Sequence, residues 1–219
     1  MFDLSCVRMH NTRDDITKLV DVSKKYGGGQ VSVLQCFIEY ARELIGDDKR
    51  VRLIGNVSFP TGSDLTELKV IQAGQMRGIC DEIDMVMNIC WLKSNMFKEA
   101  AQDVFAVKKA VGDVPLKVII ESALLDKKQI REACRICLDA GANFIKTGTG
   151  WSAPTTIEHV EFIKSIVGNA ISIKASGGVR NLDMMIQMYK AGATRFGVNM
   201  KTGVAILEEC LSKGGIVAV

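Results

Sequence analysis

The chain has 219 residues, 47% of them hydrophobic and 24% charged, enough for one large domain with a substantial core. Its formal net charge is only +3, and the basic residues, Arg8, Lys49, Lys93 and Lys201 among them, are dispersed, which argues against a nucleic-acid partner. No run approaches ~18 uninterrupted apolar residues, which argues against a membrane partner, and seven scattered cysteines behind a start, MFDLSCVRMH, that lacks a secretion-type apolar run fit a reducing cytoplasm.

A short β-branched run followed by a segment of helical period recurs eight times along the chain. In order, the expected strands are DLSCVRM, QVSVLQ, VRLIGNVSF, EIDMVMNI, LKVIIES, FIKTGTG, ISIKASG and RFGVNM. Amphipathic segments such as SNMFKEAAQDVFAVKKAVG and KKQIREACRICLDAGA lie between them, starting near Ser, Asp or Thr and often stopping at Gly. Gly27 to Gly29, just before the second strand, read as a helix terminator. Strand starts fall roughly every 20 to 35 residues, the spacing of a strand–helix unit. With no linker in the series, the pattern predicts a single domain over residues 1–219 with the α/β architecture of a (β/α)8 TIM barrel, slightly smaller than the ~250 residues typical of that fold. An open doubly wound sheet is the alternative, and there is little spare chain for it.

Strand side chains alternate between faces, so in a barrel one parity meets the helices and the other the lumen. Ile171, Ile173 and Ala175 oppose Ser172, Lys174 and Ser176; Ile83, Met85 and Met87 oppose Glu82, Asp84, Val86 and Asn88; Val118 and Ile120 oppose Lys117, Ile119 and Glu121. The polar parity is the lumenal one, and Lys146, in parity with Phe144 and Gly148, points inward too. The lumen therefore holds Lys146, Lys174 and Asp84, with Lys117, Glu121 and Asn56 as further candidates.

Buried charges cost several kcal/mol each unless paired. A structural network, Lys117 with Glu121 or Glu82 and Lys174 with Asp84, is one reading. It accounts less well for two lysines on neighbouring strands near their C-terminal ends. Desolvation and like charge both disfavour the ammonium form, so at least one of these amines should have a lowered pKa, and a neutral amine attacks carbonyls to form a Schiff base.

The motifs EIDMVMN, LKVIIESALL, FIKTGTG, IKASGGVR and TGVAILE, in this order and spacing, resemble the deoxyribose-phosphate aldolase family, class I aldolases that reversibly cleave 2-deoxy-D-ribose 5-phosphate to acetaldehyde and glyceraldehyde 3-phosphate. The resemblance runs from about Phe2 to about Cys210. It implies a carbon–carbon lyase of deoxyribonucleotide catabolism, with Lys146 as the Schiff-base lysine, Lys174 as the second lysine that depresses the first one's pKa, and Asp84 as proton shuttle. No metal and no cofactor are implied. The partner is a sugar or sugar phosphate, and the assembly a homo-oligomer, in the first instance a dimer. The family's anion site maps to Gly150, Gly177 and Gly178, whose backbone N–H groups can approach a phosphate, and to the segment after the last strand, where Asn199 stands and Lys201 or Thr202 is expected to compensate for the missing hydroxyls. The chain departs from the family pattern at Asn199 and Met200, where small hydroxyl residues are usual, at Leu34 and Gln35 on strand two, and at Ser58, where a glycine is usual. An aldolase paralogue for a different sugar, phosphorylated or not, a phosphosugar isomerase or synthase barrel, and a catalytically silent binding relative are the competing readings.

Of the remaining features, Cys134 and Cys137 have redox spacing but read as helix-core residues. Met184, Met185 and Met188 read as packing, His159 as a helix-surface residue, and His10 as a secondary candidate at the barrel mouth.

Overall fold

The structure, a computed structural model, describes residues 2–215; Met1 and residues 216–219, the outermost part of the expected domain, lie outside the described residues. Eight strands, β1 (Phe2–Cys6), β2 (Gly29–Val33), β3 (Val51–Val57), β4 (Glu82–Val86), β5 (Leu116–Ile119), β6 (Phe144–Lys146), β7 (Ser172–Ser176) and β8 (Arg195–Asn199), close into a barrel in chain order. Every neighbouring pair is parallel, and β1 pairs with both β2 and β8, which excludes the open sheet.

Around them run α1 (Arg13–Lys25), α2 (Ile38–Ile45), α3 (Thr66–Met76), α4 (Ile89–Lys93), α5 (Phe97–Val111), α6 (Lys127–Asp139), α7 (Ile157–Val167), α8 (Leu182–Lys190) and α9 (Met200–Ser212). Short 3₁₀ turns at Gln35–Phe37 and Ser122–Leu124 follow β2 and β5. Among the described residues, six of the nine helices start at a side-chain cap, whereas α2, α3 and α5 begin at Phe37, Leu65 and Met96 without one. Thr12 with Asp15, Asp126 with Gln129 and Thr156 with His159 form reciprocal capping boxes, which places His159 at a helix start. The helix-facing parity of the strands, with Leu53, Ile83, Met85, Val118, Ile145 and Ile173 all buried, joins Leu19, Ala73, Val104, Ala133, Ile163 and Met188 from the helices in one apolar layer. Cys134, Cys137, Met185 and Met188 belong to that layer, as their helical spacing predicts.

Gly27, at φ 86°, and Gly28 stop α1, their N–H groups bonding the Lys24 and Ser23 carbonyls at 3.2 and 2.8 Å, whereas Gly29 is already the first residue of β2. The strands are shorter than their apolar runs at the C-terminal end. FIKTGTG is strand only through Lys146, and LKVIIES only through Ile119, because the chain leaves the ladder there to build the loops of the mouth.

Candidate active site

Ladder register brings the lumenal charges together. Asn56 pairs in register with Asp84, Asp84 with Lys117, and Lys146 with Lys174, while Lys117 stands opposite Phe144, so Lys146 and Lys174 project into the lumen one step nearer the mouth than Asp84 and Lys117. Asp84 is the hub of these charges. Its Oδ1 accepts from Lys117 at 2.8 Å, and its Oδ2 accepts from Lys146 at 2.8 Å and from Lys174 at 3.1 Å. Lys174 also meets Asp3 Oδ2 at 2.5 Å. Lys117 pairs with Glu82 at 2.5 Å, and Glu82 takes Arg195 at 2.6 Å and Arg52 at 3.1 Å on the far side. The expected pairing of Lys174 with Asp84 is present, and of the two partners considered for Lys117, Glu82 is the one it meets.

Glu121 does not reach Lys117. It takes a left-handed conformation, φ 50°, just beyond β5, and its carboxylate turns up to the loop after β6, accepting from Thr149 N–H at 3.1 Å and Ser152 Oγ at 2.9 Å. That loop is tied to β7 as well: Thr147 Oγ1 donates to the Ser176 carbonyl at 3.0 Å and accepts from Thr155 Oγ1 at 2.8 Å.

Five lumenal cations, Arg52, Lys117, Lys146, Lys174 and Arg195, thus face three carboxylates, Asp3, Glu82 and Asp84. Burial pushes the Lys146 ammonium down and Asp84 pulls it up, but the charges of Lys174 and Lys117 add to the burial, and its pKa falls to about 8. Burial pushes Lys174 down too, yet the paired Asp3 and Asp84 carboxylates outweigh it and the pKa is raised. For Asp84, burial favours the neutral acid, and the three surrounding lysines overcome this to hold the carboxyl well below the usual carboxylate range. The site therefore contains one amine whose pKa has fallen to about 8, beside an ammonium and a carboxylate whose neighbours favour their charged forms.

Above these charges the mouth opens into a cavity of about 630 Å³ lined by the loops after β1, β6, β7 and β8. A narrow cleft lined by Asp3, Ser32, Asn56, Phe59, Lys146 and Lys174 continues it downward; the two share Ser5, Val7, Thr149, Ser176 and Gly197. Gly150, Gly177, Gly178, Asn199 and Lys201 all line the outer cavity, and Lys146 and Lys174 the inner cleft. Asp84 lines neither, and its hydrogen bonds to Lys146 and Lys174 connect it to the cleft. Gly150 and Gly177, at φ 77° and 79°, touch backbone to backbone: a Cβ on Gly177 would lie 2.9 Å from Gly150 N. Asn199 is on the wall but its side chain is occupied as the cap of α9, with Oδ1 accepting from Thr202 N–H at 3.0 Å and Nδ2 donating to Thr202 Oγ1 at 2.9 Å.

Neither Leu34 nor Gln35 lines either space; Gln35 Nε2 instead donates to the Asn56 carbonyl at 2.7 Å. Ser58 adopts the left-handed φ of 54° that its glycine-favouring position requires. His10 is exposed and outside the cavity lining. Three contributors went unremarked as site residues in the sequence. Asp3 was within reach of the parity argument, being in phase with Ser5 on β1. Gly197 faces Asp3 across the β1–β8 closure, where a Cβ would press on Ser176 Oγ at 2.7 Å and on the Lys174 stem at 3.2 Å. Phe59, whose ring centroid lies 6.0 Å from Lys146 Nζ, gave no signal of its own.

A family model described as DeoC/LacD family aldolase matches residues 19–213. A protein of Mycoplasma mobile named deoxyribose-phosphate aldolase is 40% identical over 212 residues, which are 95% of this chain and 96% of that protein. A protein of the same name from Sinorhizobium medicae is 35% identical over 217 residues, 98% of this chain and 88% of that one. Among solved structures, that of QR15, an aldolase, matches with a TM-score of 0.90 at 33% identity, covering 99% of this chain and 96% of its own.

Proposed function

Because the chain belongs to the DeoC/LacD family of aldolases, we propose that it cleaves 2-deoxy-D-ribose 5-phosphate reversibly to acetaldehyde and glyceraldehyde 3-phosphate through a Schiff base on Lys146. The observation that carries this reading is the Lys146 amine, with its pKa of about 8, in a cleft below a cavity walled by the Gly150, Gly177 and Gly178 turns.

On this reading the neutral Lys146 attacks the aldehyde carbon of the open-chain sugar, and the carbinolamine loses water to an iminium. Removal of the 3-hydroxyl proton breaks the bond between carbons 2 and 3, and its electron pair flows into the iminium to leave an enamine on Lys146. Glyceraldehyde 3-phosphate departs, the enamine carbon takes a proton, and water hydrolyses the imine to release acetaldehyde and free Lys146. Lys174 holds positive charge beside the reacting nitrogen. Asp84, bonded to both amines, moves protons between them and water. Gly150, Gly177, Gly178 and Lys201 receive the phosphate, with Asn199 serving through its cap of α9.

The seven free thiols favour a reducing compartment, the cytoplasm, and among the described residues no helix is long and apolar enough to cross a membrane. We expect one domain over residues 1–219 and a homodimer.

Sodium borohydride with acetaldehyde should inactivate the protein and leave the reduced adduct on the peptide containing Lys146. Adduct on Lys174 alone, or full activity in Lys146→Ala, would defeat the assignment. Turnover of free sugars with none of the 5-phosphate would replace the substrate by a non-phosphorylated relative.

A further inference from the structure

The loop after β1 carries a cation that the reaction described above does not use. Arg8 is exposed on the wall of the outer cavity. Its position is set at both ends. The backbone N–H of Arg8 donates to Asn11 Oδ1 at 2.7 Å and its carbonyl accepts from Asn11 N–H at 3.0 Å, which fixes the loop. At the other end Nη2 donates to the Gly150 carbonyl at 2.8 Å, and Cζ lies 4.8 Å from the centroid of the Trp151 ring. Trp151 is itself braced edge-on by Phe59, with ring centroids 6.4 Å apart.

Among the described residues, Arg8 has no carboxylate partner. Asp15, the carboxylate on the same wall, is bound to Thr12 N–H at 2.8 Å and to the Thr12 hydroxyl at 3.1 Å in its capping box. A guanidinium has five N–H donors in a planar fork, and the Gly150 carbonyl takes one of them. The rest of the fork stands at the rim of a cavity whose other walls are the turns at Gly150 and at Gly177 and Gly178. On the β8 side Asn199 and Thr202 are paired with each other, which leaves Lys201 as the side chain there free of such a bond.

Resting on the proposed reading of the site, we propose that Arg8 is a specificity-determining residue, which closes the outer cavity over the phosphate monoester of the substrate and binds it through the free edge of its guanidinium. The carbonyl of Gly150 and the face of Trp151 hold the fork in the plane the anion needs, so little side-chain entropy is lost on binding.

Calorimetric titration with inorganic phosphate, on the wild type and on Arg8→Ala and Arg8→Lys, reads the anion site without any chemistry. Arg8→Ala should weaken phosphate at least roughly 10-fold, the scale of a lost charge-assisted hydrogen bond, and Arg8→Lys should restore part of it, since lysine keeps the charge but not the fork. In kinetics, the ratio of kcat/KM for 2-deoxyribose 5-phosphate to that for 2-deoxyribose should fall by a similar factor in Arg8→Ala, chiefly through KM. Phosphate affinity within about twofold of wild type, or equal losses with both sugars, would reduce Arg8 to a tether and overturn the proposal. Failure of the borohydride experiment in the wild type would remove the aldolase reading of Lys146, and the phosphate titration would still decide Arg8.

Discussion

Lys146 and Lys174 differ in their neighbours, and the difference sorts their roles. Lys174 has Asp3 to itself and a share of Asp84; Lys117 has Glu82 and the other Asp84 oxygen; Lys146 has only the Oδ2 that Lys174 also uses. In a lumen with more cations than carboxylates, Lys146 is the amine whose proton is least well supported. Its pKa of about 8, below the ordinary 10.5, means that neutral amine accumulates as pH rises through that value, so imine formation should rise with it. Lys174→Leu removes a positive charge and leaves Asp84 Oδ2 to Lys146 alone, and both changes raise the Lys146 pKa. The expected outcome is a drop of about 10²-fold or more in turnover at pH 7 with partial recovery under alkaline conditions. A pH–rate profile that keeps its midpoint would show that Lys174 does not tune its neighbour.

At the scale of elements, the site depends on strand ends held by the helices behind them. Lys69 on α3 and Asp103 on α5 form a fully buried pair at 2.5 Å, and Lys69 Nζ also donates to the carbonyl of Val86, the last residue of β4, at 3.2 Å. This ties both helices to the strand that carries Asp84. Lys69→Met strands a buried carboxylate and should cost about 3–5 kcal/mol in urea unfolding, whereas Lys69→Met with Asp103→Leu should recover most of it. A single variant costing under about 1 kcal/mol would mean that water reaches the pair. The same scale separates what the sequence made legible from what it did not. Alternation along each strand placed Lys146, Lys174, Asp84, Lys117 and Asn56 in the lumen, because parity is a local property. Whether Lys117 meets Glu82 or Glu121 depends on where β5 ends, and the positive φ at Glu121 that sends its carboxylate to the β6 loop leaves no mark in a run of apolar residues. Asp3 meets Lys174 only because β8 closes onto β1, a contact between the two ends of the chain. Leu34 and Gln35, where the chain departs from the family pattern, line neither the cavity nor the cleft, because β2 ends at Val33 and the chain turns into a 3₁₀ segment at Gln35.

For the whole molecule, the expected homodimer has an apolar surface available at the start of α3, where Leu65, Leu68 and Ile71 are 65%, 48% and 55% exposed. Sedimentation equilibrium should give twice the 23.9 kDa of the chain, with Leu68→Glu and Ile71→Glu shifting it towards the monomer. A monomer at micromolar concentration would discard the dimer.

Glu82 closes the end of the barrel opposite the mouth. Lys117 and Arg195 on Oε2, and Arg52 and Gln30 on Oε1, knot the floor of the lumen, with Arg195 stacked 4.4 Å from the Phe144 ring centroid. Among the described residues the lumenal cleft therefore opens towards the mouth, and traffic through it is last in, first out. On the proposed chemistry the two-carbon fragment is fastened at the bottom while the phosphorylated three-carbon aldehyde sits above it in the neck. Cleavage must then empty the neck before the fragment below can leave. Synthesis must load the small aldehyde before the large one, and a phosphorylated aldehyde that arrives early corks the enzyme and slows the reaction it is meant to complete.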